Sequence, residues 1–204
     1  MELDKFTDPY LDDNKVLKNL VNAKTDAELL KAEALFIYSR TIEFAEMNTT
    51  FNITKFDLLK ELQNIHRHLF QDIFDWAGKI RVVDIKKNTP GSDFFLPVSM
   101  IEKASGFVTK EFIDEKLLRH LKKDIFIDKL AYFYDQVNYI HPFREGNGRT
   151  QRILFDIIAR QAKYKINWLK VTGQKNDEAS RVAAKSRDLS LLTEMFNEIV
   201  EIVK

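Results

Sequence analysis

Only 6 glycines and 4 prolines punctuate 204 residues. The residues that most often interrupt regular backbone are therefore scarce, and long helices are the expectation. The apolar pattern agrees. Leu29, Leu30, Ala32, Leu35, Phe36, Ile42 and Phe44 recur at helical intervals among charged residues, which predicts an amphipathic helix over 26–47. Thr54 or Asp57 is placed to cap a second helix whose Leu58, Leu59, Leu62, Ile65, Leu69 and Phe70 form an inward stripe; it ends before Trp76-Ala77-Gly78. Further helices are predicted near 98–112, 124–140, 177–184 and 189–203, and the first two dozen residues carry little structural signal. After Gly148, the run from Ile153 to Ala159 is apolar on most sides, as a central buried helix would be.

One segment departs from this pattern. Ile80 to Ile85 is β-branched, Asn88 to Asp93 has turn chemistry, and Phe94-Phe95-Leu96 follows, so a β-hairpin is predicted over Ile80 to Leu96. A lone hairpin is marginal in water; inserted between helices, it packs on the domain or serves to touch something else. The expected fold class is all-α, a helical bundle with one small hairpin, in a single domain over 1–204 without repeats or linkers.

Composition narrows the function. With 32 Lys and Arg against 31 Asp and Glu, no basic excess points to nucleic acid or an anionic membrane surface. No stretch approaches membrane-spanning length, and the start lacks a basic, then apolar, signal pattern. The absence of cysteine removes disulfides and thiolate metal sites. A cytoplasmic protein is predicted, with export by a route that needs no cleaved signal left open.

The chemistry is concentrated in His141-Pro-Phe-Arg-Glu-Gly-Asn-Gly-Arg-Thr-Gln-Arg152. Pro142 disfavours helical geometry at His141, so the preceding helix should stop there and present the imidazole at its end. Its near-neutral pKa suits a base that takes a hydroxyl proton, whereas a helix-capping role is the plainer reading of a lone histidine. Phe143 reads as an apolar anchor. Gly146-Asn147-Gly148 lets backbone amides converge beside the positive end of the next helix, an anion site by design or an ordinary turn if taken alone. Arg149 and Arg152, three apart, are expected to stack on one side and face the same anion, with no second carboxylate close by in sequence. Glu145 would repel phosphate unless a hard cation, Mg²⁺, lay between them.

This run resembles the signature of the Fic family, His-x-Phe-x-Asp/Glu-Gly-Asn-Gly-Arg-x-x-Arg, at every specified position. The likeness extends through Asp8-Pro-Tyr10, Ile65 to Phe70 and Asp75 to Arg81 to the C-terminal helices, and is greatest to bacterial Fic toxins, effector-type Fic domains and cell filamentation proteins of that family. It implies a protein adenylyltransferase with ATP as co-substrate. His141 would activate a target Ser, Thr or Tyr hydroxyl and Glu145 would hold Mg²⁺. Gly146, Asn147 and Gly148 would cradle phosphate, Arg149 and Arg152 would bind the outer phosphates, and Asn138 would line the nucleotide pocket. The hairpin corresponds to a flap that binds an extended target segment by strand addition, with Lys87 touching target or nucleotide. Gly148 favours nucleotidyl over phosphoryl transfer, because Doc-like kinases of the superfamily depart from glycine there.

Restraint in this family often comes from a Ser/Thr-x-x-x-Glu-Gly/Asn helix. Ser39 to Glu43 and Ser190 to Glu194 have the spacing but lack the final Gly or Asn. A separate small antitoxin docking near the Ser39 helix is the expected restraint. Two rival functions stay open: transfer of UMP, phosphocholine or phosphate on the same fold, and an idle interaction module. His66 and His68 point to different sides of their helix and are read as core or surface rather than zinc ligands, and His120 as surface. Trp168 and Phe94 are the aromatics placed to brush a nucleotide or a target.

Overall fold

A computed structural model describes residues 8–86 and 95–203. Its helices are α1 (Asp26–Glu46), α2 (Leu58–Phe70), α3 (Ile101–Asp114), α4 (Lys123–Ile140), α5 (Asn147–Gln161), α6 (Gly173–Ser186) and α7 (Ser190–Ile199). Strands β1 (Tyr164–Ile166) and β2 (Val200–Ile202) pair antiparallel, with Tyr164 opposite Ile202 and Ile166 opposite Val200. The fold is all-α with a small sheet, and no helix among the described residues is long and apolar enough to cross a membrane.

Local chemistry explains the helix starts. The Thr25 hydroxyl accepts from the Glu28 N–H at the head of α1, and Thr172 serves α6 in the same way. Of the two candidate caps for α2, Asp57 is the one used: its carboxylate accepts from the Lys60 N–H at 3.1 Å. Thr54 instead belongs to a short turn closed by Asn52.

α5 is the central helix. Leu154, Phe155, Ile157, Ile158 and Ala159 are all buried, and the helix packs against α2, α4 and β1. Phe155 lies 5.3 Å from Tyr134 of α4 and 6.4 Å from Phe112 of α3, ring centre to ring centre, so one side chain joins three helices. A helix segment buried on most sides must be apolar on most sides, which is why the burial of the 153–159 stretch was readable from sequence.

Three expectations change. The last helix stops at Ile199, because Val200 to Ile202 pair with β1 and help bury Tyr164 and Ile166. Residues 8–25 form no helix, yet they are firmly engaged. Asp12 closes a tight turn by accepting from the Asn14 and Val16 N–H groups, Tyr10 packs edge-on against Trp76, and the Leu20 N–H donates to the Ile73 carbonyl. The arms of the expected hairpin do meet, the Phe95 N–H donating to the Ile85 carbonyl at 3.0 Å. Its tip, with Lys87 and Phe94, lies outside the described residues, and the regular sheet is elsewhere, at β1 and β2.

Phe155→Ala is expected to lower stability by about 3–5 kcal/mol through the cavity left between α3, α4 and α5. Urea unfolding followed by circular dichroism measures it; a loss under about 1 kcal/mol contradicts the central placement of this ring.

Candidate active site

The site forms where α4 ends and α5 begins. Ahead of Pro142 the backbone cannot stay helical, and His141 takes the left-handed conformation at φ 45°, ψ 62°. α4 therefore ends at the histidine, as expected. The His141 Nδ1 lies 3.1 Å from the Asn138 carbonyl. A carbonyl can only accept, so Nδ1 carries a proton, and in the neutral ring the lone pair is on Nε2. The imidazole also stacks on Phe95 at 3.6 Å with an interplanar angle of 11°. Asn138 thus enters the site through its backbone, orienting the imidazole.

α2 supplies the floor. His66 is fully buried between Phe70, at 4.5 Å, and Phe143, at 3.9 Å. The Gly78 N–H donates to its Nδ1 at 2.8 Å, which leaves Nε2–H to donate to the Glu145 carbonyl at 3.0 Å. Burial pushes its pKa down to about 4, so the ring is neutral. Sequence reasoning placed His66 in the core or on the surface; it is core, and it also carries the Glu145 backbone. Its place in the Ile65 to Phe70 resemblance was the one signal that set it apart.

Gly146 follows at φ 81°, and a Cβ there would overlap the Phe70 ring, so this position requires glycine. Gly148 differs. It is helical and exposed, and a Cβ would meet nothing within 4 Å: it borders open space at the first turn of α5. The backbone N–H groups of that turn have no partner inside the helix.

Asn147 corrects an expectation. Its side-chain oxygen accepts from the Phe143 N–H at 2.9 Å and its amide donates to the Phe143 carbonyl at 2.8 Å. Both ends of the side chain are spent on the loop, so it braces the turn rather than cradling a phosphate. Phe143, fully buried, is the anchor foreseen.

The arginines also differ from the expected stack. Arg149 donates to Glu33 of α1 at 2.5 Å and to Glu145 at 3.2 Å, and its guanidinium lies 4.8 Å over Phe70. Glu33, buried, is the second carboxylate that local sequence did not reveal, because α1 brings it in from 116 residues away. Arg152 instead lends its charge to Tyr134 and Asp156. Neither Glu43 nor Glu194 meets a signature arginine: Glu43 pairs with Arg40 and lies near His68, and Glu194 is exposed on α7. At the N-terminal side, Arg144 donates to Asp8 at 2.8 Å, which ties the leading segment to the loop.

Glu145 is half-exposed and folds back on its own turn, accepting from the Gly146 N–H at 2.8 Å. Among the described residues no three His, Cys, Asp or Glu side chains cluster as metal ligands. A single carboxylate is nonetheless a suitable donor for Mg²⁺, which takes most of its ligands from phosphates and water.

This arrangement coincides with a family. The chain belongs to the Fic/DOC family, whose model matches residues 55–159. It is 34% identical over 203 residues to the probable protein adenylyltransferase Fic of Escherichia coli, covering 97% of this chain and 96% of that protein. It is 37% identical over 174 residues to the protein adenylyltransferase VbhT of Bartonella schoenbuchensis, covering 85% of this chain but 35% of that longer protein. Among solved structures, the AMPPNP-bound BepC protein of Bartonella tribocorum superposes with a TM-score of 0.86 at 21% identity, covering 96% of this chain and 97% of that one. That likeness establishes the fold.

Two titrating groups with opposite shifts act oppositely on stability. Burial pushes Asp156, which accepts from the Trp168 indole N–H, up to about 7. A carboxyl with a raised pKa stabilises at low pH and loses that contribution as pH rises from its ordinary 3.8 toward 7. His66, lowered from 6.5 to about 4, stabilises fully above 6.5 and loses that contribution as pH falls toward 4. The two slopes offset. Asp156→Asn removes one of them, so the stability of the variant relative to wild type is expected to rise by about 3 kcal/mol from pH 4 to pH 7. Urea melts across that range measure it, and a pH-independent difference would exclude a neutral Asp156.

Proposed function

We propose that the chain is a protein adenylyltransferase that moves AMP from ATP to a Ser, Thr or Tyr hydroxyl of a target protein. The observation that carries this reading is the proton on His141 Nδ1, which in the neutral ring puts the lone pair on Nε2, next to the open first turn of α5 at Gly148. The adenylyltransferase names of relatives 34% and 37% identical support it, as does the nucleotide in the BepC structure.

In this reading His141 Nε2 takes the proton of the target hydroxyl. The hydroxyl oxygen bonds to the α-phosphorus, the bond from that phosphorus to the bridging oxygen breaks, and pyrophosphate leaves. The Gly146, Asn147 and Gly148 amides and the α5 dipole would receive the phosphates. Arg149 and Arg152 would bind the outer phosphates, Arg149 by exchanging carboxylate for phosphate oxygens. Glu145 would hold Mg²⁺, which neutralises charge on those phosphates. An extended target segment would add to the flap, where Lys87 is assigned contact with target or nucleotide. For restraint we propose a separate helical antitoxin. The exposed apolar Leu35, Tyr38 and Ile42 around Ser39 support docking there, as does the distance of Glu43 and Glu194 from any signature arginine.

Incubation with lysate and ATP labelled at the α- or the γ-phosphate, followed by mass spectrometry, tests the proposal. Transfer of α label with the mass of AMP is expected, and γ label alone, or labelling by UTP alone, would replace the assignment. His141→Ala is expected to slow transfer by roughly 10²–10⁴-fold, while Gly148→Ala keeps the thermal midpoint but weakens ATP binding.

A further inference from the structure

Arg81 stands out in a search of the whole molecule, because it is the largest of the fully buried side chains yet belongs to neither the core helices nor the signature run. Its guanidinium donates to three backbone carbonyls. Nε reaches His141 at 2.8 Å, Nη1 reaches Val83 at 2.8 Å, and Nη2 reaches Leu96. Its own backbone N–H donates to the Pro142 carbonyl at 2.9 Å. Those acceptors come from two places: both arms of the flap base, and the turn that carries the base.

The charge is unusual in such a place. Burial lowers the pKa of Arg81, opposed by Asp84, whose carboxylate lies 3.5 Å from Nη1. Asp84 in turn accepts from the Val98 N–H at 2.7 Å, just past the second flap arm. Further ties run the same way. The Leu96 N–H donates to the Tyr139 carbonyl at 3.1 Å, the Val82 N–H donates to the Tyr10 hydroxyl at 3.1 Å, and Phe95 stacks on the His141 ring. Taking a guanidinium out of water is costly, and donating to carbonyls that are otherwise left unsatisfied is what offsets it. A purely structural link between two loops needs no cation.

We infer that Arg81 is a positioning residue that joins the flap base to the His141 turn, so that the target-binding flap and the imidazole hold one fixed relation. The chemical reason is specific to a planar fork: three divergent N–H donors serve three carbonyls at once, and an ammonium on a flexible stem cannot match them. His141 is held in a left-handed conformation that few residues adopt. Its carbonyl is pinned by Arg81 and its ring by Asn138 and Phe95. A target strand seated on the flap is thereby set in register with Nε2. The role in catalysis rests on the proposed reading of His141 as base; the mechanical link does not.

The experiment is Arg81→Lys, read by two independent means. In the imidazole region of ¹H–¹³C spectra, the His141 signals, displaced in the wild type by the Phe95 ring, are expected to move back toward exposed-histidine positions. In the transfer assay, run below the variant's thermal midpoint, kcat is expected to fall about 10- to 100-fold while KM for ATP stays within twofold. Unchanged His141 signals and unchanged kcat overturn the inference, and so does an activity loss matched by the fraction unfolded. If Arg81→Lys does not fold, Arg81→Gln, which keeps one amide donor in place of the fork, gives the same readouts, and intact His141 signals there overturn it equally. A wild type that transfers nothing while the His141 signals move in the variant would refute the proposed function and leave the coupling standing.

Discussion

The structure depends most on how residues 141–146 are held between two helices. The connection is short and exposed to the demands of both ends: Pro142 forces α4 to stop, and Gly146 at φ 81° lets α5 start at once. Such a loop would be floppy if left to solvent. Instead each residue is tied from a different direction. Asn147 holds the Phe143 backbone at both N–H and carbonyl. His66 holds Glu145 from below, Asp8 holds Arg144 from the N-terminal segment, and Arg81 holds His141 and Pro142 from the flap side. Three separate stretches of chain, together with the first residue of α5, converge on five of these six residues. Buried polar groups of this kind are expensive to leave unpaired, which makes the loop geometry a property of the whole fold.

That convergence explains what sequence could and could not reveal. The helices of the bundle were legible because apolar spacing and side-chain caps are local, and α1, α2, α4 and α5 lie within a few residues of where the pattern puts them. The end of α4 at His141 followed from Pro142 alone. The three-residue strands β1 and β2 were not legible, since a strand so short carries no period and its stability comes from a partner far along the chain. The structured N-terminal segment was hidden for the same reason: its order comes from Tyr10, Asp8 and Leu20 reaching distant groups, with no helix or strand to announce it.

Within the site, roles set by neighbours in sequence were readable and roles set across the fold were not. His141 and Phe143 stand where the run implied, as does Gly146. Asn147 was read as a phosphate ligand from the resemblance; four residues back, the Phe143 backbone takes both of its side-chain polar atoms. Arg149 was read as part of a stack until Glu33, far away in α1, claimed it. His66 and Arg81 were invisible as site residues, because each acts by hydrogen bonds to carbonyls from a segment that only the tertiary fold brings near. The electrostatic result is that carboxylates lie over part of the head of α5. Glu145 lies over the Gly146 amide and Glu33 over Arg149. A triphosphate would replace like with like in charge and geometry.

The account stands on an anion site at the head of α5 that faces the His141 imidazole. Titration of ¹⁵N-labelled protein with AMPPNP and Mg²⁺, followed by amide and imidazole spectra, tests it most directly. The Gly148 and Arg149 amides and the His141 ring are expected to shift together and saturate at one nucleotide per chain. Saturable binding that leaves all three unmoved and perturbs a different surface would contradict it.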